Sequence, residues 1–162
     1  MKKILILGIL MLLIVGCNPL PPTPVAVVDE EYVCEDYNYA ITVPAGWILA
    51  EAPGCIIGMI ADEDIFLNVV VSVEPTTKDI VGVFTDELEK MERSELYVDT
   101  NILNIGSNTI EFDYAMGERT HAVMELYVEN GYAYSVIYQS YEDDFVSNEV
   151  EMASIADTFR TF

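Results

Sequence analysis

The hydropathy pattern predicts an α+β fold, an α-β-α sandwich with a central, mostly antiparallel sheet and one helix on each face. Three observations carry this. Apolar residues alternate with a period of two over several short stretches, as in half-buried strands. The period changes to that of a helix twice, over Ile80, Val83, Phe84, Leu88 and Met91 and again over Met152, Ile155, Ala156 and Phe159. Finally, Asn130-Gly131 separates two strand-like runs, and both faces of the hairpin they would form are apolar or aromatic. A sheet with one wet face would be more polar on one side, so each face needs a cover.

The N-terminus has a different character. Lys2 and Lys3 precede an apolar run, Ile4 to Val15, broken only by Gly8. A membrane span needs about 20 apolar residues. This shorter run has the length of a secretory h-region. Ile14-Val15-Gly16-Cys17 then resembles the lipobox of prokaryotic lipoproteins: a branched apolar residue, a tolerant position, a small residue and a cysteine. In that family the peptidase cuts before the cysteine, whose sulfur carries a diacylglyceryl group. The resemblance implies residues 1–16 as a signal peptide and Cys17 as a lipidation site. The alternative is an ordinary secretory signal in which Cys17 is incidental. Two acyl chains, at ~0.8 kcal/mol per buried CH₂, anchor a protein firmly. Pro19, Pro21, Pro22 and Pro24 follow. They exclude helix and sheet interior and favour extended polyproline II. Residues 17–28 therefore read as a lipidated cysteine with a semi-rigid linker, and residues 29–162 as one domain. The expected location is the cell envelope, anchored on the extracytoplasmic side.

Within the domain, Tyr32-Val33-Cys34 reads as a short strand and Tyr39 to Val43 as a second, stopped by Pro44-Ala45-Gly46. Cys55 to Ile60 is a further apolar run. Ile65, Leu67, Val69, Val71 and Val73 share one face of the next strand, with Asn68, Ser72 and Glu74 on the other. The first helix spans about Thr77 to Ser94. Thr76 is its expected cap, with Asp79 as capping-box acid. Asp86–Lys90 and Glu89–Arg93 are acid-first pairs on its outer face. Tyr97 to Ile105 and Ile110 to Met116 are strands. The Asn130-Gly131 turn suits a type I′ loop, with positive φ at both positions. That register pairs Val128 with Ala133, Leu126 with Ser135, Met124 with Ile137 and, on the opposite face, Tyr127 with Tyr134 and His121 with Ser140. The second helix carries Met152 to Phe159, with Asn148 and Glu151 as its entry cap.

Composition excludes some partners. The chain has 28 acidic and 7 basic residues, a formal charge of −21. After Cys17 there are five bases against 28 acids, a net −23. Nucleic acid is bound with Lys and Arg, so it is not an expected partner. The charge also opposes attraction to anionic headgroups. It complements a basic partner or reflects a salty habitat. Cys34 and Cys55 form a candidate disulfide for an oxidising compartment. Two buried thiols are the alternative.

The stretch Tyr37-Asn38-Tyr39-Ala40-Ile41-Thr42-Val43-Pro44-Ala45-Gly46-Trp47 resembles the opening of the PsbP-like (Mog1/PsbP, DcrB-like) superfamily. There an aromatic strand entry and a short strand lead into Pro-x-Gly/Asp-Trp. The element order that follows is similar to the family's over about Tyr32 to Phe162. The resemblance implies the same sandwich and a mostly non-catalytic role, as an extrinsic or assembly factor on membrane complexes or a partner of other proteins. The calcium and chloride retention of the photosynthetic members is not implied, because no residue here matches a motif specific to it.

Candidate sites are few. Asp62 and Asp64 flank Glu63, and Asp143 and Asp144 follow Glu142. Either cluster offers hard oxygens to Ca²⁺, yet neither has the glycine and distal glutamate of an EF-hand. Solvated turn charge is the simpler reading, and no metal or other cofactor is expected. His121 is the sole histidine, without a second histidine or a nucleophile elbow. Trp47, Tyr127, Tyr132 and Tyr134 are the candidate binding surface, with Tyr138 beside them. Burial of the same rings under a helix is the alternative. The expected function is a lipid-anchored, non-catalytic binding or accessory module for an envelope protein. The partners are the membrane, through Cys17, and a protein. A small-ligand or Ca²⁺-binding lipoprotein is the alternative, with Trp47 lining its pocket, and catalysis is not expected.

Overall fold

The computed structural model describes residues 25–26, 30–62, 66–93 and 98–162. Cys17 and Asp64 lie outside them. In chain order the elements are β1 (Val25–Ala26), β2 (Glu30–Cys34), β3 (Tyr39–Val43), β4 (Ile48–Ala52), β5 (Ile56–Asp62) and β6 (Leu67–Pro75). Helix α1 (Ile80–Arg93) follows, then β7 (Val98–Ile105), β8 (Thr109–Met116), β9 (Glu118–Glu129) and β10 (Tyr132–Tyr141). Helix α2 (Glu142–Ala156) and β11 (Arg160–Thr161) end the chain.

The strands form two sheets. The larger has the order β1-β4-β5-β6-β10-β9-β8-β7, the smaller β11-β3-β2. All pairings are antiparallel. The β9–β10 hairpin has the expected register, Val128 opposite Ala133 and Tyr127 opposite Tyr134. Asn130 and Gly131 both have positive φ, 53° and 82°, as that turn requires.

Each face of the large sheet carries its own core. Val83 and Met91 of α1 pack with Ile110, Phe112, Met124 and Leu126 on one face. On the other, Met152 and Ile155 of α2 meet Val69, Val71, Tyr134 and Val136. One helix therefore packs on each face, as expected. The small sheet shares the α2 side, where Tyr39, Ile41 and Val43 are sealed into the same core.

The structure corrects several sequence readings. β4, β11 and the short β1 were not anticipated. The sequence Ile-Leu-Ala-Glu-Ala of β4 has weak strand propensity, and pairing with β5 is what holds it extended. Val25 and Ala26 lie in the stretch read as linker, yet pair with Leu49 and Ile48. Helix α1 starts later than Thr77. The Asp79 carboxylate accepts from Gly82 N–H at 2.9 Å and is itself the cap, while the Thr76 hydroxyl accepts from Lys78 N–H. Glu89 pairs with Arg93 as expected, but Asp86 pairs with Lys78. Lys90 turns instead to Glu87 and Glu74. Helix α2 begins at Glu142 rather than near Asn148, and ends before Phe159. Glu142, Asp143 and Asp144 fill its first turn, where carboxylates meet the positive end of the helix dipole.

Candidate functional site

The chemistry-bearing residues gather beneath α2, on the face formed by β8, β9 and β10. Strand register puts Asp113 opposite His121 and His121 opposite Ser140. The row therefore holds the residue types of a hydrolytic triad. Its geometry differs from one. His121 Nδ1 is 2.8 Å from Asp113 Oδ1, a hydrogen bond that orients the ring. Nε2 faces Glu111 Oε1 at 3.3 Å, within ion-pair reach but without a hydrogen bond. Ser140 is fully buried, and its hydroxyl donates to the Tyr141 carbonyl at 3.1 Å. A triad serine has to be within reach of both base and substrate. The His121 ring instead lies against Phe145 of α2, with centroids 4.0 Å apart.

Asp113 is 6 % exposed and needs compensation. Arg119 supplies it at 3.1 Å and also reaches Glu142 at 3.3 Å. The group thus ties the start of α2 to β8 and β9. Glu111 and Asp113 belong to it although nothing in the linear sequence joins them to His121. The i, i+2 spacing Glu111-x-Asp113 on a strand was the available signal, because it puts both carboxylates on one face.

A second buried polar chain lies on the α1 face. Tyr114 donates to Gln139 Oε1 at 2.7 Å, Gln139 Nε2 to Asn68 Oδ1 at 2.9 Å, and Asn68 Nδ2 to the Phe66 carbonyl at 3.0 Å. It links β8, over the intervening β9, to the neighbouring strands β10 and β6, and the sequence pattern did not single it out.

The aromatic candidates are packing residues. Trp47 is 3 % exposed and Tyr134 fully buried, so neither offers a ring to solvent. Trp47 follows a turn in which Gly46 takes φ 86° and the Trp47 N–H donates to the Pro44 carbonyl. This is the type II arrangement that Pro-Ala-Gly suits. Its indole Nε1 donates to Glu151 of α2 at 3.2 Å. Phe159 sits among Tyr39, Tyr127 and Tyr134 at centroid distances of 5.6, 5.0 and 5.6 Å. Tyr132 and Tyr127 are half-buried, and Tyr132 packs edge-on against Tyr37. The hairpin face is therefore core under α2 and the small sheet, not an open surface.

Burial sets the phenol chemistry. It pushes Tyr138 up to about 12, with the charges of Glu125 and Glu149 adding to it. Tyr32, Tyr39 and Tyr127 are pushed higher, burial being the largest cause in each.

Cys34 and Cys55 are joined, with Cα atoms 6.1 Å apart. The bond staples β2 of the small sheet to the turn entering β5. Asp62 ends β5, and Asp143 and Asp144 sit in the first turn of α2. Among the described residues, no three His, Cys, Asp or Glu side chains converge as a metal site. Also among them, no helix is long and apolar enough to cross a membrane.

Comparison with solved structures places this architecture. The solution structure of cyanobacterial PsbP (CyanoP) from Synechocystis sp. PCC 6803 superposes with a TM-score of 0.56 at 13 % identity, covering 90 % of this chain and 100 % of that one. The fold is PsbP-like. A crystal structure from Bacteroides thetaiotaomicron has a TM-score of 0.52 at 10 % identity, covering 82 % of this chain and 48 % of that one. LpqN of Mycobacterium tuberculosis, involved in cell envelope biogenesis, aligns with a TM-score of 0.48 at 12 % identity, over 85 % of this chain and 88 % of that one. No protein-family model matches the sequence, and no curated protein does.

Proposed function

We propose that this chain is a lipid-anchored, extracytoplasmic binding module without catalysis, accessory to a protein or complex of the cell envelope. The carrying observation is how the PsbP-like fold uses its reactive side chains. His121 is held between two carboxylates and a phenyl ring, Ser140 is sealed, and Cys34 is bonded to Cys55. A catalytic site needs such groups converging on a cleft that substrate can enter. Here they fasten α2 and the small sheet to the large sheet. The lipobox-like Ile14 to Cys17 supports the anchor, and the disulfide supports an oxidising compartment.

The test is capture from native membranes after mild crosslinking, with the wild type beside a Cys17→Ser form. Wild type is expected in the membrane fraction with lipid mass on Cys17, crosslinked to an envelope protein. Cys17→Ser is expected without the lipid and without that crosslink. Equal solubility of both forms, with the domain recovered alone, would overturn the reading.

A further inference from the structure

Helix α1 does not cover its whole face of the large sheet. It lies over β8, β9 and β10, packing on residues such as Phe112, Met124 and Leu126. On the same face, β4, β5 and β6 present Ala50, Ala52, Ile56, Gly58, Val70 and Ser72. All six are half-buried and none is charged, in a chain with 28 acids. Ala50, Ala52 and Gly58 carry little side chain there, beside the larger Ile48, Ile56, Ile60 and Val70. Ser72 and Ser135 bond to each other across β6 and β10 at 2.7 Å, which satisfies their hydroxyls and leaves a largely apolar floor.

Two adjoining hollows, of about 270 and 210 Å³, lie where α1 meets the edge of this floor: the smaller reaches Ile56, Ser72 and Leu126, and the larger lies beyond it over Pro75 and Thr76. Both are bordered by Val83, Glu87 and Lys90 of the helix and by Glu74 and Ala133 of the sheet. Each is smaller than the roughly 300–1,000 Å³ of a small-molecule site, so they suit single side chains of a larger partner. Their rim is ionic. Lys90 Nζ reaches Glu87 at 2.5 Å and, across the groove, Glu74 at 2.6 Å. The Glu87 side chain is only 15 % exposed, whereas that of Lys90 is 51 % exposed. A carboxylate that buried demands a cation, and the cation supplied is an outward, flexible one. Asp86 adds a further acid, matched by Lys78.

We infer that this groove binds a protein segment bearing an apolar side chain beside Lys or Arg, whose cation takes the place of Lys90 between Glu74 and Glu87. Charge decides the occupant. A second copy brings 28 acids and five bases after Cys17, and so repels. An anionic lipid surface repels likewise. A guanidinium forms two parallel bonds to a carboxylate, which the Lys90 ammonium cannot do. The inference rests on the binding-module reading and names its surface and the chemistry of its partner.

The probe is the photoreactive peptide acetyl-Arg-(p-benzoylphenylalanine)-Arg-amide, with a Glu-flanked counterpart as control. Full-length protein is held in phosphatidylcholine vesicles, irradiated with peptide, and the attachment points are mapped by mass spectrometry. Labelling is expected in residues 70–76, 83–90 and 133–135 with the Arg peptide only. Glu74→Gln with Glu87→Gln lowers the yield roughly tenfold. Lys90→Met raises it several-fold, because both carboxylates are freed. Circular dichroism melts establish that each variant is folded, and a single Glu74→Gln, at an exposed position, serves if the double variant is not. Labelling elsewhere, equal labelling by both peptides, or a Lys90→Met yield at or below wild type would overturn the inference. Envelope-protein capture that persists in folded Glu74→Gln refutes the groove and leaves the module reading standing. Loss of capture in wild type would instead refute that reading.

Discussion

Replacing Cys34 and Cys55 together by alanine tests how the two sheets are held. The bond closes a loop with a sequence separation of 21. The chain-entropy relation assigns such a loop about 3 kcal/mol of stabilisation through the unfolded state. With ~2.1 cal/mol/K of unfolding entropy per residue over about 130 residues, that is a fall in Tm of roughly 10 °C. The structure also says where the loss falls. Besides its packing in the shared core, the small sheet is tied to the rest by this bond, by Tyr32 donating to Glu51 at 2.8 Å, by Tyr39 donating to the Cys55 carbonyl at 2.5 Å, by Thr42 N–H donating to the Thr158 hydroxyl at 2.9 Å, and by Tyr134 donating to the Tyr37 carbonyl at 2.8 Å. Cys34 is 2 % exposed, so alanine there removes a link and also leaves a small void, which adds to the loss. Calorimetry gives Tm, and hydrogen exchange gives the distribution. Amides of β2 and β3 are expected to lose protection before those of β9 and β10. A Tm change under about 3 °C, or equal loss in all strands, would refute the account, because the loop entropy would then be absent or unlocalised.

Two further outcomes follow from the buried side chains. Tyr138 is pushed up to about 12, and Tyr32, Tyr39, Tyr127 and Tyr134 are also raised by burial. These phenols ionise near 10 only in the unfolded chain. Stability is therefore full below pH 10 and falls as pH rises from there towards the folded-state values. Tyrosinate absorbance is expected to appear with unfolding, and a smooth titration of all ten tyrosines near pH 10 in a folded protein would contradict this. His121→Ala removes the ring between Asp113 and Phe145, leaving the Asp113 carboxylate to Arg119 alone. The expected loss is about 2–3 kcal/mol by urea denaturation, and an unchanged midpoint would mean the cluster is solvated.

Patterns that repeat at short range were legible. The β9–β10 register followed from Asn130-Gly131, because a two-residue turn leaves one way to align the strands. The face of β6 followed from alternation, and the buried stripe of α1 from its spacing. The helices were legible from their apolar spacing, and requiring a cover for both faces of the hairpin assigned one to each. Where such a signal was weak, the reading failed. Helix α2 was read from its apolar end alone, because Val146 and Val150 face outward at 82 % exposure and blur the stripe upstream. β4 has no alternation to read, and β11 is two residues long.

The sequence by itself determined the acidic balance and the order of most elements, because these depend on composition and on neighbours a few positions apart. It also allowed two fates for each aromatic and each cysteine, exposed or buried, bonded or free. Only the tertiary structure decided between them. Trp47 meets Glu151, His121 meets Asp113 and Glu111, and Lys90 meets Glu74, each across strands or between layers. Such pairings depend on which strands are neighbours, and that order, β4-β5-β6-β10-β9-β8-β7, is not the order of the chain.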